Sequence, residues 1–313
     1  MHKGLNGLMC KRRRGGSTCP TTWTSRTSSF TGNTWIDWVY YGNGVWVACG
    51  NNGKIATSTD GASWTQRTSG FTTNTVRGGC YGNSLWVICG SDKKISTSTT
   101  PTSTWTARTS NFNGSDAVYV VHYDDSIFVA GGDAGDMSTS TDGITWTART
   151  SNLGGIYAID YDGTTWVAAG QHSGTDMVIG TATSATGTWT KRTVLSSDAG
   201  SFYGVAYGNS IWVLCGVNAA GNGIVYTSTA PTSTWTSRTC PLGTDVPYEV
   251  AYGNGCFTMV GDDGKLYTST DGLSWTSRTS SFSTTNIYGI AYDGTSRWVV
   301  TGWDDKLATS DVV

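Results

Sequence analysis

The sequence predicts an all-β chain: a seven-bladed β-propeller of four-stranded antiparallel blades, closed by an N-terminal strand that completes the last blade. Three observations carry that expectation. A tryptophan followed by Thr-x-Arg returns seven times, at Trp23, Trp64, Trp105, Trp146, Trp189, Trp235 and Trp275, with spacings of 41, 41, 41, 43, 46 and 40 residues. A period of this length marks a stack of like supersecondary units. Between the tryptophans, short apolar-aromatic runs alternate with Gly-Asn and Asp-Gly turns. The repeat also begins on a lone fourth strand, from Thr21 to Arg26, and stops at Thr309-Ser310-Asp311 after three strands.

Composition agrees with short strands in tight turns. Glycine contributes 42 of 313 residues and proline five, and charged residues are 13 %, well below the roughly 25 % of an ordinary soluble domain. No apolar run approaches the roughly 18 residues that span a bilayer, so membrane insertion is not expected. The repeat defines one domain over residues 17–313, preceded by a basic arm over residues 1–16 that contains Lys11, Arg12, Arg13 and Arg14. Such a run is either a solvated tail or an anchor for an acidic partner. The arm lacks the apolar stretch of a secretory signal.

Residues 35 to 68 serve as the specimen unit. Its strands are expected at Trp35 to Tyr41, Val45 to Cys49, Lys54 to Thr59 and Trp64 to Thr68, with turns at Gly42-Asn43, Asn52-Gly53 and Asp60-Gly61. No helix is expected. Two aromatic columns run through all units: Tyr41, Tyr81, Tyr123, Tyr161, Tyr207, Tyr252 and Tyr292 close the first strands, and Trp46, Trp86, Phe128, Trp166, Trp212, Phe257 and Trp298 sit in the second. They are expected to fill the space between blades, each burying about 150 to 250 Å². Closure by a strand from the far end hides the two sheet edges of an open array.

Eight cysteines are present. Cys49, Cys89 and Cys215 share one repeat position, where Ala169 stands in another unit, and read as small buried hydrophobes whose reduced thiols fit intracellular synthesis. Pairing of Cys10, Cys19 and Cys240 stays open.

The turns Ser58-Thr59-Asp60-Gly61-Ala62-Ser63-Trp64, Ser140-Thr141-Asp142-Gly143-Ile144-Thr145-Trp146 and Ser269-Thr270-Asp271-Gly272-Leu273-Ser274-Trp275 resemble the Asp-box (BNR-type) turn of sialidase-like propellers, one residue shorter between Asp and Gly. Other units carry Thr100-Pro101 or Ala230-Pro231 instead. The wider repeat phrase is similar to propeller repeats of bacteriophage tails and other virion-associated proteins. That resemblance implies a virion protein made in the host cytoplasm without a signal peptide, with the basic arm docking to other virion proteins and with nucleic acid an unfavoured partner.

Sialidase chemistry, as the resemblance implies it, needs three arginines on a carboxylate, a tyrosine nucleophile with a glutamate, and an acid. Arg26, Arg67, Arg108, Arg149, Arg192, Arg238 and Arg278 belong to the repeat and Arg12 to Arg14 to the arm, which leaves Arg77 and Arg297; the chain has one glutamate, Glu249. His2, His122 and His172 are too scattered for zinc. Asp124-Asp125, Asp262-Asp263 and Asp304-Asp305 read as turn formers rather than a calcium site. No catalytic residue, metal or cofactor is therefore expected, and the chain reads as a non-enzymatic structural docking or glycan-binding module. A glycan-active hydrolase and a cellular lectin or protein-interaction scaffold are the alternatives.

Recognition is expected on the rim whose loops differ from unit to unit, formed after the second strands and between blades. Subtracting the repeat leaves Trp35, Trp38 and Trp303, which ring closure brings to one seam. Asp37 and Arg77 stand in a first-strand column otherwise filled by Tyr119, Tyr157, Tyr203, Tyr248 and Tyr288. Trp35, Asp37, Trp38, Arg77, Trp303 and Asp304 are accordingly the candidate glycan-contacting residues, since a sugar offers hydroxyls and apolar ring faces together. The competing reading has the indoles plug the seam.

Overall fold

In the computed structural model, which describes residues 19–113 and 117–312, the chain forms seven four-stranded antiparallel sheets. The basic arm with Lys11 to Arg14, and Cys10 within it, lies outside the described residues. Blade one holds the strands Trp38–Gly42, Val45–Cys49, Lys54–Ser58 and Thr65–Thr68. Blade seven holds Ile287–Tyr292, Arg297–Gly302 and Lys306–Asp311, completed by Thr24–Thr27. That last pairing runs from Thr24 opposite Thr309 to Thr27 opposite Lys306, so the ring closes as the sequence expects.

The first strand of blade one starts at Trp38 rather than Trp35. Before it, Ile36 N–H donates across the seam to the Gly302 carbonyl at 3.0 Å and Thr34 N–H to Asp305 Oδ1 at 3.0 Å. The Trp35 carbonyl accepts the Asn51 N–H of its own blade at 3.2 Å, and the regular ladder begins at Trp38 opposite Cys49. Two single-turn 3-10 segments, Asn51–Gly53 and Asp262–Gly264, are the helical elements among the described residues.

The repeated phrase has a repeated function in packing. In every blade the outer-strand arginine donates from Nε to a threonine hydroxyl of the third strand: Arg26 to Thr309, Arg67 to Thr57, Arg108 to Thr97, Arg149 to Thr139, Arg192 to Thr181, Arg238 to Thr227 and Arg278 to Thr268, at 2.8–3.3 Å. The second-strand aromatics from Trp46 to Trp298 are all buried, and each packs on the tyrosine of its own first strand with ring centroids 4.5–5.0 Å apart. The Asp-Gly turns are closed by their own side chains. Asp142 Oδ1 accepts the backbone N–H groups of Ile144 and Thr145, Ser140 Oγ accepts that of Gly143, and Trp146 Nε1 donates to the Gly143 carbonyl.

Cys49, Cys89 and Cys215 are buried free thiols, as their column predicts. Cys19 is bonded to Cys256 at the start of the second strand of blade six. It joins positions 237 residues apart, a pairing that the sequence left open. Cys240 is a half-buried free thiol.

Candidate functional site

The first strands line the channel, and in five of the seven blades a local irregularity aims one residue toward its mouth. In blades two, three, five, six and seven the ladder shifts by one between Val76 and Gly78, Val118 and Val120, Phe202 and Gly204, Pro247 and Glu249, and Ile287 and Gly289. The extra residues are Arg77, Tyr119, Tyr203, Tyr248 and Tyr288. A bulged residue is left out of the ladder and its side chain is re-aimed, so the bulge turns a sequence column into a ring.

That ring is continuous. Tyr119, Tyr157, Tyr203, Tyr248 and Tyr288 follow one another with centroids 4.9, 5.7, 6.0 and 5.1 Å apart. The Arg77 guanidinium carbon lies 5.0 Å from the Tyr119 centroid, a cation–π distance. Trp35 joins the other end, 6.4 Å from Tyr288, and meets Trp303 edge-on at 6.2 Å. Asp262 fixes one phenol by accepting from Tyr248 Oη at 2.7 Å while also accepting the Val246 N–H.

Inside the ring, Asp37, Trp38, Arg77, Tyr119, Tyr157, Tyr203 and Tyr248 enclose a cavity of about 310 Å³. Asp37 and Arg77 are half-buried, and Asp37 Oδ2 and Arg77 Nε are without hydrogen-bond partners. Burial drives the Asp37 carboxyl up to about 7, and the Arg77 charge pulls it back only in part. Near neutral pH the Asp37 carboxyl is therefore divided between its protonated and charged forms.

The structure brings the six predicted residues to one mouth in unequal ways. Trp35 and Trp303 are 44 % and 46 % exposed, too open to act as plugs of the seam. Asp304 is exposed beside Trp303. Trp38 departs from the expectation of an exposed indole: it sits one residue past the ring, half-buried against the core between blades one and two, because successive strand residues face opposite ways. Asp305, by contrast, accepts from the Asn33 and Thr34 backbone and the Thr34 hydroxyl and stitches the seam. Asp262, read from the sequence as a turn former, orients a ring tyrosine, and the sequence assigns no site role to His122 and Asp160, whose departure from Cys80, Ala206, Ala251 and Ala291 in their column was the available signal.

The fold and site define a seven-bladed β-propeller whose channel mouth carries a ring of tyrosines with one carboxyl and one guanidinium. Residues 188–310 match the family described as DUF6242 beta propeller domain. Among solved structures the chain is similar to YCF48 bound to D1 peptide, with 14 % identity, coverage of 95 % of this chain and 96 % of that one, and a TM-score of 0.72. YCF48 from Cyanidioschyzon merolae aligns at 16 % identity over 92 % and 98 % of the two chains, with a TM-score of 0.71. A catalytically inactive virginiamycin B lyase from Staphylococcus aureus with quinupristin aligns at 14 % identity over 93 % and 99 %, with a TM-score of 0.77. At these identities the likeness is one of fold. Among curated proteins there is no sequence match.

Proposed function

We propose that the chain is a non-enzymatic, virion-associated propeller, of the phage tail or fibre kind, that binds a glycan at its tyrosine-ringed mouth. The observation that carries this reading is the exposed Trp35–Trp303 pair standing beside the unpartnered polar atoms of Asp37 and Arg77. Indole and phenol faces stack on the apolar face of a sugar, while a carboxyl and a guanidinium take its hydroxyls. The ring is preformed by the blades, so little ordering is needed on binding. Turnover is not part of the proposal, because the repeated arginines that could grip a substrate carboxylate are held by threonines.

The virion setting rests on the repeat resemblance and on the charge of the arm. A chain lacking residues 1–16 is expected to lose assembly with its partner and keep its glycan. A glycan array probed with wild type, Trp303→Ala and Arg77→Met tests the mouth itself: one glycan class should bind wild type and fall at least tenfold in both variants. Absence of any glycan signal, or signals indifferent to both substitutions, overturns the reading.

A further inference from the structure

All seven first strands run the same way along the channel, so their other ends build a second mouth. There a cavity of about 780 Å³ opens, within the size range of small-molecule sites. Two positions beyond the tyrosine ring its wall is apolar, formed by Val39, Val121, Ile159, Val205, Val250 and Ile290. Its charge is of one sign. Asp124, Asp125, Asp160, Asp162 and Glu249 line it with His122, and no lysine or arginine does so among the described residues.

The acids lie at two levels, on either side of the apolar waist. Glu249 of blade six stands one position past the ring, and Asp162 of blade four, with blade five between them, stands five positions past it. Four residues of strand separate the levels, about 13 Å at ~3.3 Å per residue. Glu249 is 8 % exposed, held by the Ile290 backbone N–H, and its Oε2 has no hydrogen-bond partner. Asp160 Oδ2 accepts Tyr207 N–H at 2.7 Å and Oδ1 accepts Tyr161 N–H at 2.8 Å. His122 Nε2, 3.9 Å from Asp160 Oδ1, is also enclosed without a hydrogen-bond partner. A carboxyl shut from water with no cation beside it is costly, and a propeller core does not require it: the equivalent of Glu249 is glycine in three blades, at Gly78, Gly204 and Gly289.

We infer that this second mouth is a site for a linear aliphatic diamine, one ammonium on Glu249, the alkyl chain through the valine–isoleucine waist, and the other ammonium on the Asp160 and Asp162 level. Tyr161, Tyr207 and Tyr123 at the same mouth add ring faces to a cation. Burial pushes the Glu249 carboxyl well above the ordinary carboxylate range, so an ammonium pairing with it displaces any proton it carries to solvent. The two cavities share Trp38 and meet near Glu249, while the Asp162 level lies at the far end of the channel from Trp303.

Calorimetry of the full chain with 1,8-diaminooctane at low salt tests this. One equivalent should bind; Glu249→Gln and Asp162→Asn should each weaken binding at least tenfold, the neutral diol of like length should not bind, and Trp303→Ala should bind the diamine as wild type does. Near-ultraviolet circular dichroism confirms folding, and Asp162→Asn, at the open rim, keeps the test in force if Glu249→Gln does not fold. No binding at millimolar diamine, equal binding of the diol, or affinity unchanged in the folded variants overturns the inference.

Discussion

Arg26 donates from Nε to Oγ1 of Thr309 at 2.9 Å, a hydrogen bond between residues 283 apart that repeats, at the ring closure, the clamp found inside every other blade. In the other six blades the partners are 10 or 11 residues apart. The same contact thus has a local job six times and a global one once. Arg26→Met is expected to cost about 1 kcal/mol and, unlike Arg149→Met, to let the N-terminal strand exchange its amide hydrogens faster. Denaturant midpoints and hydrogen exchange of Thr24–Thr27 check this; equal exchange in the two variants would count against it.

The Cys19–Cys256 bond closes a loop of 237 residues. Its removal by Cys19→Ser is expected to lower stability by ~2–4 kcal/mol, chiefly through the entropy of the unfolded chain. Thermal unfolding with and without reductant measures the loss, and the serine variant should be insensitive to reductant.

Gly79 sits against Tyr40, whose ring is fully buried and whose hydroxyl has no partner. A Cβ at position 79 would run into the Tyr40 phenol. Gly79→Ala is expected to destabilise by ~1–3 kcal/mol through overpacking, and a truncating Tyr40→Leu in the same chain should recover part of it, a coupling that a double-mutant cycle reads directly.

Asp37 gives stability a pH dependence of known sign. Its folded carboxyl sits at about 7 against an ordinary 3.8, so between those values the unfolded chain releases a proton that the folded chain keeps. Stability then falls as pH rises through this window and levels off above about 7. His122 acts oppositely: burial lowers it from 6.5 to about 4, and its contribution rises with pH across that interval. Asp37→Asn should therefore gain on wild type between pH 4 and pH 8, and His122→Gln should lose on it; denaturant midpoints at the two ends decide.

The blade number, the closure and the ring column were legible because seven copies can be laid over one another, so that Asp37 and Arg77 stand out among five tyrosines. Subtraction of the repeat likewise isolated Trp35 and Trp303. Trp38 passed the same filter yet half-buries, since one step along a strand changes the face and no copy carries an indole there for comparison. Cys256 was invisible as a partner because the bond to Cys19 joins an out-of-repeat residue to a distant blade. Asp124 was in view as a turn residue and Asp162 drew no attention; only the closed ring puts them on one cavity with Glu249, which lies far from both in sequence.

A blade completed by a strand from the other end of the chain is an invitation to trade: two molecules could each lend Thr24–Thr27 to the other and form a swapped dimer with every contact intact. Cys19 lies five residues before that strand and is joined to blade six of its own chain. Once the sulfurs are joined, the lent strand cannot leave home, and the choice between one closed ring and two interlocked ones is made by a single covalent bond.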